Sequence, residues 1–110
     1  MTKQECLDVI NNPSGKLICV DMDGTLCKGE SWGHGYSEPY RDRIEFINNL
    51  YNNGANLIIY TARFPEMYAK TAAWLTKYGV RYHGIAMGKK PGATIYIDDR
   101  ALNAEDVFVN

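Results

Sequence analysis

Lys16-Leu17-Ile18-Cys19-Val20-Asp21-Met22-Asp23-Gly24-Thr25-Leu26 decides how the chain is read. A short run of apolar residues predicts a strand over 17–20, buried on both faces as in a parallel sheet. It ends in two aspartates spaced by one residue, followed by a glycine and a threonine. Buried charge without a partner costs as much as a whole domain has to spare. These carboxylates therefore need compensation, and a divalent cation with a phosphoryl ligand supplies it.

Outward from this stretch, helical spacing is weak over 5–11 (Cys6, Val9, Ile10) and stops at Asn12-Pro13-Ser14-Gly15. Residues 27–39 are rich in glycine and aromatics and read as a loop or flap over the site. Ile44, Ile47, Leu50 and Tyr51 give the three-and-four spacing of an amphipathic helix over 40–51. A second apolar strand spans 56–60. A helix over 66–78 follows, with Tyr68, Ala72, Leu75 and Tyr78 on one face and Gly79 as its stop. Further strands are expected within 80–87 and over 94–97, then a cap at Asn103 and a short edge at Val107-Phe108-Val109. Strands alternating with helices imply an α/β fold, a Rossmann-like parallel sheet flanked by helices. With no large insert between 26 and 40 or between 61 and 90, no cap domain is expected, and residues 1–110 read as a single domain.

The 110 residues carry a formal net charge of -1, so no overall basic field recruits nucleic acid or an anionic membrane. No window is long and apolar enough to span a membrane, and the first residues do not read as a signal peptide. Three cysteines, Cys6, Cys19 and Cys27, form no C-x-x-C pair, which fits a reducing, cytoplasmic setting. Cys19 reads as a core residue, whereas Cys27 is expected to be more exposed and chemically a bystander.

In parallel sheets, ligands bind outside the carboxyl ends of the strands. Asp21 and Asp23 fall there after one strand, Thr61 after the next, and Asp98 and Asp99 after the last. Gly24 permits a tight turn and close approach of backbone to ligand. An all-oxygen cluster of this kind suits Mg²⁺ rather than zinc. Thr61 offers a hydroxyl near a helix start, and a lysine from Lys89-Lys90 would complete an anion clamp. A carboxylate nucleophile, a second carboxylate for proton transfer, a metal, a hydroxyl and a lysine are what phosphoryl transfer through an aspartyl phosphate requires.

Asp21-Met22-Asp23-Gly24-Thr25, Thr61, Lys90 and Asp98-Asp99 resemble, in order, the four motifs of haloacid dehalogenase (HAD) superfamily phosphatases. The likeness runs over roughly residues 16–109. The wording around Thr61-Ala62-Arg63 and Asp98-Asp99-Arg100-Ala101 resembles small capless members, often associated with capsular or surface polysaccharide synthesis. The resemblance implies that Asp21 attacks phosphorus and that Asp23 protonates the leaving oxygen and later accepts a proton from water. It implies Mg²⁺ held by Asp21, the backbone carbonyl of Asp23, and Asp98, with Asp99 supporting from behind. It also implies phosphoryl binding by Thr61 and Lys90, the latter preferred to Lys89 for its spacing from Asp98.

His34 and Arg63 are candidate substrate contacts, weighed against a solvated loop histidine and a surface ion pair. His83 is assigned to the sheet or its edge, and Tyr68, Trp74 and Tyr78 to helix packing. The expected activity is hydrolysis of a small phosphorylated metabolite such as a sugar phosphate, with a homo-oligomeric neighbour as a candidate cover for the open site. Two alternatives are a macromolecular phosphate as substrate and a receiver-like module phosphorylated on aspartate. The order of the motifs, with Asp-x-Asp first and Asp-Asp last, disfavours the receiver.

Overall fold

The computed structural model describes residues 1–28 and 38–108. At its centre β1 (Leu17–Asp21) pairs in parallel with β2 (Asn56–Thr61) on one side and β4 (Ile95–Ile97) on the other. β3 (Gly84–Met87) extends the sheet beyond β2, giving the all-parallel order β3-β2-β1-β4. The chain steps outward from β1 to β3, then returns across the sheet to β4. The topological switch point thus lies between β1 and β4, where a crevice opens at the carboxyl edge.

The helices follow from capping and apolar spacing. α1 (Lys3–Asn11) begins with a capping box: Thr2 accepts from the Glu5 backbone N–H, and Glu5 accepts from that of Thr2. α2 (Arg41–Asn52) buries Ile44, Ile47 and Leu50, as the spacing requires. A 3-10 turn (Pro65–Met67) leads into α3 (Tyr68–Lys77), whose buried residues are Thr71, Trp74 and Leu75. Tyr68 is exposed, so the buried stripe is rotated from the one expected. Tyr68 is the first residue of the helix, and Trp74 packs inward beside Leu75. Val107 and Phe108 form no edge strand: Val107 ends α4 (Ala104–Val107), and Val109 is outside the described residues. Asn103 caps it by accepting from the Glu105 N–H, and Glu105 and Asp106 in the first turn favour a helix start over an extended edge.

The pleat divides the sheet into two unlike faces. Ile18 and Val20, Leu57 and Ile59, and Ile95 pack in one core with Ile44, Ile47 and Leu50 of α2 and Trp74 and Leu75 of α3. Val9 and Ile10 of α1 border that same core. Among the described residues the opposite face gathers only Cys19, Tyr60 and Ala86, with Ile58 and Ala93 against them. No helix lies in the β3–β4 connection, so residues 88–94 cross as an irregular strap. No cap domain is present among the described residues.

Candidate functional site

Register and parity determine which side chains meet. Asp21 is level with Tyr60, and Cys19 is level with both Ile58 and Tyr96. Because side chains alternate along a strand, Asp21 and Tyr60 lie on the thinly covered face, and Asp98, two residues beyond Tyr96, reaches the same side. Asp21, Asp98 and Asp99 bring carboxylate oxygens within 4.8 Å of one another. They line a cleft of about 860 Å³ at the carboxyl edge, together with Asp23, Gly24, Lys28, Tyr40, Tyr60, Lys89, Lys90 and Arg100.

The turn after β1 is tightly built. Met22 O accepts from the N–H groups of Thr25 and Leu26, and the Gly24 N–H donates to Cys27 O at 2.9 Å. Arg43 Nη1 donates to the carbonyls of Gly24 and Thr25, and its guanidinium stacks 4.0 Å from the Tyr40 ring centroid. Cys27 is fully buried rather than exposed, because this turn folds it back beneath Met22, where its thiol donates to Met22 O. The base of the 27–39 segment is closed by a Cys27–Pro39 bridge, a Lys28 N–H to Glu38 O bond and a Lys28–Glu38 ion pair. His34 lies outside the described residues.

Gly24 adopts φ +86°, and a Cβ there would fall 2.7 Å from the Asp99 carboxyl carbon. The glycine thus serves a left-handed turn and the close approach of Asp99 at once. Gly24→Ala should destabilise the fold by about 1–3 kcal/mol and displace Asp99. Urea unfolding together with Mn²⁺ titration would show both effects, and a wild-type response in both would contradict this role.

The two aspartates of the Asp-x-Asp segment have different surroundings. Asp21 Oδ2 accepts from the Thr25 hydroxyl at 3.3 Å. Burial first, then the charges of Asp98 and Asp99, push its pKa up to about 7. A carboxyl so displaced marks an excess of negative charge that a cation would relieve. Asp23 is instead held by Arg63: Nε donates to Oδ2 at 3.1 Å and Nη2 to Oδ1 at 2.9 Å. The Asp23 carboxylate therefore stands apart from the three-carboxylate group. Arg63 has 0% side-chain exposure against 19% for Asp23, so it is neither a surface pair nor a contact in the open cleft. Its role is to fix the plane of Asp23 from beneath.

Thr61 is also beneath the cleft. It is 1% exposed, its hydroxyl donates to Asp23 Oδ2 at 3.3 Å, and its oxygen accepts from the Arg63 N–H. Lys89 and Lys90 both line the cleft from the strap. Lys90 is the more firmly placed, with its ammonium 4.2 Å from the Tyr96 ring centroid and 5.8 Å from that of Tyr60. Arg100 reaches Asp99 at 3.8 Å and is otherwise mostly exposed.

Tyr60 was not singled out by motif. Its hydroxyl donates to Asp98 Oδ2, and the Arg100 backbone N–H donates to Asp98 Oδ1 at 2.8 Å. Burial pushes the Asp98 pKa up, but these two hydrogen bonds, together with the Lys90 charge and a hydrogen bond with Asp99, outweigh it and hold the carboxyl below its ordinary value. Burial and the bond to Asp98 keep the Tyr60 phenol protonated well above its usual range. A tyrosine directly after the aliphatic run Leu57-Ile58-Ile59 was the available signal, since a buried hydroxyl needs a partner.

No protein-family model matches the chain, and no curated protein matches it. Two solved structures are similar. A conserved protein from Bacteroides thetaiotaomicron shares 22% identity with a TM-score of 0.67, over 79% of this chain and 78% of its own. A crystallised protein from Vibrio cholerae shares 27% identity with a TM-score of 0.55, over 83% of this chain and 85% of its own. These likenesses concern the α/β fold.

Proposed function

We propose that the chain is a Mg²⁺-dependent phosphatase of the HAD type, hydrolysing a small phosphomonoester such as a sugar phosphate. The observation that carries this reading is the convergence of Asp21, Asp98 and Asp99 at one end of a cleft that Lys90 also lines. The donor set fits a hard cation, since every contributing atom is a carboxylate oxygen and the charge on Asp21 is otherwise poorly compensated. Asp21 and Asp98 would hold the ion, with Asp99 as a third carboxylate. When bound, Mg²⁺ neutralises phosphoryl charge and polarises the P–O bonds.

In this reading an Asp21 oxygen attacks phosphorus and the bond to the leaving oxygen breaks, giving an aspartyl phosphate and an alcohol. Asp23, on the cleft wall, donates the proton to that leaving oxygen. It then takes a proton from water, which attacks the phosphorus and releases phosphate and free Asp21. Lys90 balances charge on the phosphoryl oxygens, while Arg63 and Thr61 keep Asp23 in place. The cleft, about 860 Å³, falls within the range of small-molecule sites.

Hydrolysis of 4-nitrophenyl phosphate should stop with EDTA and return with Mg²⁺; turnover that persists in chelator would overturn the reading. The pH dependence of metal stabilisation provides a second readout. Asp21 has a raised pKa, so in metal-free protein its ionisation opposes folding increasingly from about pH 4 to about pH 7. Mg²⁺ should therefore raise Tm more at pH 8 than at pH 5. A panel of phosphorylated metabolites, with phosphopeptides and polynucleotide ends alongside, would identify the leaving group.

A further inference from the structure

Tyr60 is 5% exposed, and its ring already has hydrophobic neighbours in Cys19 and Ala86. A phenylalanine would satisfy that packing, so the hydroxyl requires a separate explanation. It reaches across the level of Asp21 on the neighbouring strand to donate to Asp98 Oδ2. The remaining oxygen, Oδ1, is fixed by the Arg100 backbone N–H. Both oxygens of Asp98 are thus oriented by the protein, and each retains a lone pair for a further partner. The Tyr60 ring meets Tyr96 edge-on at 6.2 Å and 90°, which braces the phenol against β4, the strand that leads into Asp98.

We propose that Tyr60 is a positioning residue that sets the Asp98 carboxylate for a divalent cation shared with Asp21 and Asp99. This rests on the metal site of the proposed phosphatase but concerns cation affinity, which is measurable without turnover. Hydrogen bonds to a ligating carboxylate restrict its rotation and raise its competence as a ligand, and losing such a partner weakens metal binding roughly 10–100-fold.

The experiment is Mn²⁺ titration, followed by electron paramagnetic resonance, of the wild-type chain, Tyr60→Phe, Asp98→Ala and the double variant. Tyr60→Phe should retain wild-type circular dichroism and raise the Mn²⁺ Kd about tenfold. In the Asp98→Ala background the same substitution should change Kd by less than twofold, because its route to the metal is gone. An unchanged Kd in Tyr60→Phe, or an equal loss with and without Asp98, would overturn the proposal. Should Tyr60→Phe lose its fold, the hydroxyl is structural and the proposal fails. Wild-type protein that binds Mn²⁺ yet hydrolyses no phosphomonoester would sink the phosphatase reading while leaving the role of Tyr60 standing. Wild-type protein that binds no Mn²⁺ would sink both.

Discussion

Asp21→Asn should lower phosphomonoester hydrolysis by more than about a thousandfold while raising the melting temperature of the metal-free protein. In the proposed mechanism the loss follows from removing the attacking oxygen anion, for which an amide is no substitute. The gain follows from the surroundings of that anion, because burial and the carboxylates of Asp98 and Asp99 disfavour its charge. Displacement of its pKa to about 7 sets a ceiling of about 4 kcal/mol, and screening at a partly exposed site reduces the gain to on the order of 2 kcal/mol. The sign depends on pH. Below about pH 4 the carboxyl is protonated in both folded and unfolded chains, so asparagine brings no electrostatic gain. Between about pH 4 and about pH 7 the unfolded chain ionises first, and the advantage of asparagine grows to its full value. Thermal melts in EDTA at pH 4.5 and pH 8 would check this, and a variant less stable than wild type at pH 8 would contradict the electrostatic account.

Asp23→Ala should be the most destabilising single change in the site. Arg63 is fully buried and its guanidinium engages both oxygens of Asp23. Removing that carboxylate takes two charge-assisted hydrogen bonds from a buried guanidinium, at a cost of about 3 kcal/mol, or a fall in Tm on the order of 15 °C for a domain of this size. Asp23→Asn keeps the shape and one acceptor, so it should lose less stability while still slowing breakdown of the aspartyl phosphate. Replacing both partners with apolar residues should recover much of the stability and none of the activity. Differential scanning calorimetry of these variants tests the account; a wild-type Tm for Asp23→Ala would refute it.

The parallel sheet was legible because β1 and β2 are uninterrupted apolar runs that end in polar residues. The placement of Asp21 and Asp98 followed from strand ends alone. The division of labour around Asp23 was not legible. Arg63 two residues past a strand end looks the same in sequence whether it faces solvent or folds beneath the turn. The 3-10 entry to α3 was equally hidden, and of the three aromatics assigned to helix packing Trp74 is buried whereas Tyr68, at the helix start, is exposed. Cys27 was misplaced because the return of the chain under Met22 depends on backbone hydrogen bonds, which leave no side-chain signature. Tyr60 was missed for a different reason: its partner is brought near by register, not by proximity along the chain.

The unlike faces of the sheet make pairing errors self-defeating. A slip of β1 by one residue would turn Asp21 into the helical core and bring Val20 to the cleft, since alternate residues change sides together. The misregistered chain would bury a carboxylate and lose its cluster in the same step. Folding fidelity and assembly of the carboxylate cluster are therefore proofread by one alternation along a single strand. Mutations that loosen β1 should fail as whole molecules rather than yield folded protein with an impaired site.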